Sequence, residues 1–247
     1  MNKIKTENKK MVSILGLPRQ GTTLIAGIIN SYDNSFCSVE PHWAKIANQG
    51  QSMNSGIKIP TEIMYNNTVD KFVPVLRDFL DESKIFSIGS IKETYRSHQK
   101  ESCNYLLKSD LIDIHLFIFR EPKSGFNAWK RVGWGGFYDD VDNYIDSYTD
   151  LWNDGDYLLS QNKRIIRIKY EELCSGNASN YLNSKFESTN IIFPENIQEI
   201  KQIGSIFGDP HASRGGKINS SNNDFELLNE GEIKKLNPII KRYYSVI

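Results

Sequence analysis

The chain has 247 residues, 30 basic and 30 acidic side chains, and 39% apolar residues. That balance excludes a polybasic nucleic-acid binder and a protein held to a membrane surface by bulk charge. A chain of this length buries roughly three-quarters of its extended surface as one domain, so it needs no metal or disulfide staple. Cys37, Cys103 and Cys174 are few, far apart and outside any CxxC spacing, which argues against a disulfide scaffold or a zinc site. No apolar run reaches the roughly 18–20 residues of a spanning helix, so stable membrane insertion is not expected.

Residues 1–10 are polar and basic with no apolar stretch behind them. They read as a flexible leader rather than a secretory signal, ahead of a single domain over 11–247, and a cytoplasmic location is expected. Met11–Leu15 is a short apolar run ending at Gly16, the pattern of a buried parallel strand before a tight turn. Thr22–Ile29 predicts a helix, and Ser35–Val39 is a second apolar stretch leading into Glu40-Pro41-His42-Trp43. Gly50–Pro60 is rich in Gly, Ser and Asn and reads as an exposed loop. Val69, Phe72, Val73, Leu76, Phe79 and Leu80 fall at helical spacing, with Pro74 inside to kink that helix or mark a late start. Ile85–Ile91 predicts a strand.

Leu111–Arg120 is the clearest buried strand, and Pro122 opens a helix to about Arg131 that Gly133-Trp134-Gly135-Gly136 ends. Tyr144, Tyr148, Leu151 and Trp152 mark another amphipathic helix, and Arg164–Lys169 alternates as a short strand. Helices over Ile197–Phe207 and Glu230–Tyr244, separated by a polar loop over 208–224, complete the chain. Strand–helix alternation of this kind predicts an α/β fold, a three-layer sandwich with a central parallel sheet. Such sheets bind ligands at the carboxyl ends of their strands, so the turns after Leu15, Ile91, Phe119 and Lys169 carry the functional reading.

Gly16-Leu17-Pro18-Arg19-Gln20-Gly21-Thr22-Thr23 follows a strand and opens a helix. A helix N-terminus offers unpaired N–H groups and a partial positive charge to an anion. Gly21 lets backbone approach the anion, and Thr22 and Thr23 add hydroxyls. The glycines match the GxxxxGK(S/T) nucleotide loop, but Thr22 stands where the lysine belongs and Arg19 supplies the positive charge instead. An ATP- or GTP-hydrolysing loop is therefore disfavoured, while a plain strand–helix connection would share the glycines but not the arginine–threonine set.

Leu17-Pro18-Arg19-Gln20-Gly21-Thr22-Thr23-Leu24 resembles the 5′-phosphosulfate loop of sulfotransferases that use 3′-phosphoadenosine 5′-phosphosulfate (PAPS), which commonly reads Leu-Pro-Arg-Ser-Gly-Thr-Thr-Leu. The departure is Gln20, a longer side chain that still donates to an anion. Phe117-Ile118-Phe119-Arg120-Glu121-Pro122-Lys123 is similar to the family's 3′-phosphate segment, where an arginine fork meets phosphate oxygens. The family's serine eight residues after that arginine is Ala128 here, and Ser124 lies one helical turn earlier on the same face to compensate. Alone, Arg120 would read as a surface ion-pair residue. Ile166–Leu173 resembles the family's strand and Tyr-Glu-Asp-Leu, placing Tyr170 near the adenine or at a core edge. Arg214-Gly215-Gly216-Lys217 is similar to the late basic loop that closes on the 3′-phosphate.

The resemblance implies a P-loop-kinase-like topology and sulfuryl transfer from PAPS to a hydroxyl or amine, leaving adenosine 3′,5′-bisphosphate, with no metal. Glu40 sits where the glycan and tyrosyl branch carries a catalytic glutamate, with His42 as the second candidate base. Arg19 would stabilise charge on the sulfuryl oxygens, and Lys92 resembles the lysine of a Gly-Glu-Lys-Thr-Pro-type segment. The implied acceptor is a small molecule or glycan, a carbohydrate or glycolipid foremost. His98, His115 and His211 read as structural or exposed, and Trp129–Tyr138 as acceptor wall or core. The rival readings are an atypical P-loop small-molecule kinase and a non-catalytic nucleotide-binding relative.

Overall fold

A computed structural model describes residues 3–39, 69–95, 100–195, 197, 199–200, 216–217 and 225–246. Strands β1 (Lys10–Gly16), β2 (Ser35–Val39), β3 (Ile88–Thr94), β4 (Ile114–Phe119) and β5 (Ile165–Lys169) form one sheet in the order β2-β3-β1-β4-β5. Every neighbouring pair is parallel, with Gly16 opposite Thr94 on one edge of β1 and opposite Ile118 on the other. This is the expected α/β sandwich with the strand order of P-loop kinases.

Strands β1 to β4 are buried along almost their whole length because helices cover both faces of the sheet. Helices α1 (Thr22–Asn30) and α7 (Ala178–Phe186) pack on one face, in a core that includes Ile14, Ile28, Ile118 and Phe186. On the other face lie α2 (Val69–Glu82), α3 (Lys100–Lys108), α4 (Pro122–Val132), α5 (Val141–Ser160) and α8 (Glu230–Val246), around Leu15, Leu76, Phe117, Trp152 and Leu236. The short α6 (Tyr170–Leu173) follows β5, the edge strand whose burial alternates. From β1 the chain winds out through β2 and back to β3, then crosses β1 to reach β4. That reversal opens a crevice beyond the carboxyl ends of β1 and β4, where such sheets bind ligands.

Several expectations need correction. The leader is tied down rather than free: Ile4 is buried, exchanges two hydrogen bonds with the Asn34 side chain (2.9 and 2.8 Å), and Lys5 pairs with the Ile192 backbone. Strand β3 begins at Ile88 because the Ser83 hydroxyl takes the N–H groups of Ile85 and Phe86 into a turn. Helix α2 does not start late at Pro74 but is already helical from Val69. Proline removes the N–H that would bond the Asp70 carbonyl, and the Tyr105 hydroxyl donates to that carbonyl instead, at 3.0 Å. Residues Glu199–Ile200 are not helical but pair antiparallel with Gly216–Lys217 as β6 and β7, and β6 packs against α1. The rest of that expected helix, the Gly50–Pro60 loop and most of the 208–224 loop lie outside the described residues. Among the described residues no helix is long and apolar enough to cross a membrane.

His115, near the amino end of β4, is fully buried, with Nδ1 2.9 Å from the Ser13 hydroxyl and Nε2 without a partner. Burial, aided by the nearby Lys163 charge, pushes it down to about 4. The unfolded chain takes up this proton near pH 6.5 and the folded chain only near 4, so stability present at neutral pH is lost as pH falls through that window. The loss amounts to about 3 kcal/mol. Urea denaturation followed from pH 7 to pH 4 is expected to show this decline, and His115→Gln to remove that part of it.

Candidate functional site

Strand β1 ends where no side chain fits. A Cβ on Gly16 would lie 2.7 Å from the Thr22 methyl and 2.9 Å from the Ile118 carbonyl. The chain then turns through Leu17–Gln20, closed by Gln20 N–H donating to the Leu17 carbonyl at 3.2 Å. Pro18 occupies the second turn position and Arg19, at φ 64°, the third, the type II pattern that usually takes glycine or asparagine there. Gly21 caps α1 in the left-handed region at φ 91°, and no side chain caps the helix. The first N–H groups of α1 therefore face the crevice as an anion site.

Gln20 departs from its expected role. Its side chain is buried, Oε1 accepting from Leu17 N–H at 3.2 Å and Nε2 donating to the Tyr144 hydroxyl at 3.4 Å. The longer side chain reaches back into the protein where a serine could not, so it braces the turn instead of facing an anion. Thr22 is buried with its methyl over Gly16, while Arg19 and Thr23 are partly exposed.

Arg120 follows β4 directly. One guanidinium nitrogen, Nη1, donates to the Arg19 carbonyl at 3.3 Å, the group lies 4.8 Å over the Tyr170 ring, and Nε is buried with no partner. Glu121 then caps α4 by accepting Ser124 N–H at 2.8 Å, with Pro122 in the first turn. Glu171 accepts Glu121 N–H at 3.0 Å and the Tyr243 hydroxyl at 2.6 Å. Ser124 is buried, and its hydroxyl has no partner. Unpaired buried polar atoms are rare, and two within one β4–α4 turn mark a place for a polar ligand.

Tyr170 stands between these segments. A Cβ on Gly21 would come 2.2 Å from its ring, and burial pushes its hydroxyl up to about 12, so it stays a neutral phenol. Lys92 is buried at the carboxyl end of β3, level with Val39 of β2, and its Nζ donates to the Thr94 hydroxyl at 2.9 Å. Since Thr94 is level with Gly16, the lysine sits close beneath the loop. Thus Arg19, Gly21, Thr22, Thr23, Arg120, Ser124, Tyr170 and Lys92 gather at one edge of the sheet. Gly216 is carried toward α1 by the β6–β7 pair, without a described contact to the loop. Glu40, His42, His98, His211, Arg214 and Gly215 lie outside the described residues.

Two contributors had no readable signal. Trp129 is core, and its indole N–H donates to the Pro18 carbonyl at 2.6 Å, while Tyr144 meets Gln20. Trp134 is half exposed, with its ring edge-on to Tyr138. Pro122 was the legible sign of this helix start, while Glu121, the residue that caps it, carried none. Among the described residues no three His, Cys, Asp or Glu side chains cluster as a metal site.

No protein-family model matches the chain, and no curated protein sequence matches it. Among solved structures it is similar to the sulfotransferase domain from the Synechococcus PCC 7002 olefin synthase, with a TM-score of 0.57 and 11% identity over 98% of this chain and 97% of that one. The chain therefore has the fold of a sulfotransferase domain along nearly its whole length. A fold of this kind does not fix an activity, which resides in the site's own residues.

Gly21 and Gly176 separate backbone strain from crowding. Both have positive φ, 91° and 83°, but a Cβ on Gly176 meets nothing within 4 Å. Gly176→Ala should cost about 1–2 kcal/mol for the left-handed conformation alone. Gly21→Ala should cost about 1–3 kcal/mol more, from overpacking against Tyr170. Equal losses in urea denaturation would refute the packing of Tyr170 on the loop.

Proposed function

We propose that the chain transfers the sulfuryl group of PAPS to a hydroxyl or amine acceptor, a carbohydrate or glycolipid foremost. The observation that carries this reading is the pair of buried, unpartnered atoms, Arg120 Nε and Ser124 Oγ, beside the uncapped N-terminus of α1. Two anion sites at the ends of adjacent parallel strands fit a nucleotide with phosphate at both its 3′ and 5′ positions. The sulfotransferase fold supports the same reading. PAPS supplies the sulfuryl group, and the leaving group is adenosine 3′,5′-bisphosphate.

The chain's residues then divide the work. The first N–H groups of α1, with Thr22 and Thr23, hold the 5′ anion. Arg120 and Ser124 hold the 3′-phosphate, Ser124 replacing the hydroxyl that Ala128 lacks. Tyr170 keeps both segments in register and walls the base. Arg19 and Lys92 set positive charge where it grows on the sulfuryl oxygens, so catalysis is positioning plus electrostatics. Glu40, the residue after β2, takes the acceptor's proton as general base, with His42 the second candidate. Thr22 at the nucleotide-loop lysine position weighs against a kinase.

Calorimetry with adenosine 3′,5′-bisphosphate and with magnesium–ATP tests the donor. The bisphosphate is expected to be preferred, with Arg120→Ala weakening it by about 10- to 100-fold and Ser124→Ala by about three- to tenfold. Preference for magnesium–ATP, or indifference to Arg120, would sink the reading in favour of the kinase. For catalysis, Glu40→Gln should lower turnover by about 10²- to 10⁴-fold while bisphosphate affinity stays the same. Unchanged turnover would remove Glu40 as the base.

A further inference from the structure

Three consecutive loop residues are tied to elements that follow β4. The Trp129 indole in α4 donates to the Pro18 carbonyl at 2.6 Å, and Arg120 Nη1 donates to the Arg19 carbonyl at 3.3 Å. Gln20 joins the Leu17 N–H to the Tyr144 hydroxyl of α5. A glycine makes the last contact possible: a Cβ on Gly125 would lie 2.2 Å from the Tyr144 hydroxyl.

The geometry of the turn gives these bonds a consequence. A trans peptide directs its carbonyl and its N–H to opposite sides. With the Pro18 carbonyl held by the buried indole, the Arg19 N–H is aimed away from the core. The alternative type I turn rotates that peptide by roughly half a turn, and it would suit Arg19 better, because the third position then has negative φ. It would also turn the Pro18 carbonyl outward, setting a negative dipole beside the anion. Nothing in the local sequence prevents that flip. The indole opposes it, while the Gln20 brace fixes the two ends of the turn against Tyr144.

We propose that Trp129 and Gln20 are positioning residues for the loop: Trp129 holds the anion-accepting turn against the flipped, anion-repelling one, and Gln20 anchors the ends of that turn in place. The proposal rests on reading the loop as the 5′ anion site. It also gives α4 a double role, since the same helix carries Ser124 at the other anion site and Trp129 behind the loop. Helix α4 thereby fixes the spacing between the two.

Trp129→Phe keeps an aromatic ring and removes the N–H, and Gln20→Met keeps the length and removes both hydrogen bonds. Each variant is titrated calorimetrically with adenosine 3′,5′-bisphosphate and with adenosine 3′-phosphate, after thermal unfolding has shown that it folds. Both variants should weaken the bisphosphate by about five- to tenfold and leave the 3′-phosphate within about twofold. Equal weakening of both ligands, or of neither, overturns the proposal. Wild-type protein that binds neither nucleotide overturns the donor reading itself, a result distinct from either. Should Trp129→Phe not fold, Gln20→Met carries the same comparison.

Discussion

Strand β1 is paired along both edges and covered on both faces, so its backbone meets a ligand at its carboxyl end. The crowding at Gly16, between the Thr22 methyl and the Ile118 carbonyl, shows how tightly that end is closed. A chain leaving such a strand must turn at once, and the following helix must start with its N–H groups facing out of the sheet. The same closure acts on β4, which is fully buried and releases Arg120 one residue after its last apolar side chain. Because the winding reverses between these two strands, their exits lie side by side. That adjacency follows from strand order rather than from any long-range reach of side chains.

Arg120 can serve an anion only if no carboxylate neutralises it first. Two glutamates lie nearby, and both are engaged elsewhere. Glu121 is held on Ser124 N–H, and Glu171 on Glu121 N–H and the Tyr243 hydroxyl. Burial, reinforced by the Glu171 charge, pushes the Tyr243 phenol well above its ordinary value, so it remains a donor to that carboxylate. The last helix thus restrains an acid that would otherwise compete for the arginine. Tyr148 fixes the other side of the turn by donating to the Arg120 carbonyl at 3.3 Å. The bonds accepted by the two carboxylates are charge-assisted, the strong kind, and here they orient the site instead of neutralising it.

What the sequence made legible was what sits at strand ends. Gly16, Gly21, Arg19 and Arg120 could be read because strand–turn–helix punctuation is local and their chemistry is simple. Residue identity told that Gln20 is a donor, but not that its length would carry it inward to Tyr144. Trp129 and Tyr144 looked like core aromatics and are core aromatics, and their polar tips gain a role only from what the fold sets against them. Helix α7 went unread because its inner stripe is just Ala178, Leu182 and Phe186 among polar residues. For a related reason Pro74 does not open α2: the carbonyl it leaves without an N–H is met by Tyr105, a partner 31 positions along the chain.

The arrangement also explains where the site's positive charge comes from. In a nucleotide-hydrolysing loop the residue after the second glycine is a lysine that reaches the phosphates. Here Thr22 holds that position with its methyl turned onto Gly16. Charge must then arrive from elsewhere, and two routes are built. Arg19 brings it from the outer side of the turn, at the cost of about 1–2 kcal/mol of left-handed strain. Lys92 brings it from beneath, buried and steered by Thr94, the residue level with Gly16 on the neighbouring strand. A transferring sulfuryl group flanked by Arg19 and Lys92 would meet positive potential from two sides of one loop. That suits a loose, charge-spread transition state better than a single lysine aimed along the phosphate chain.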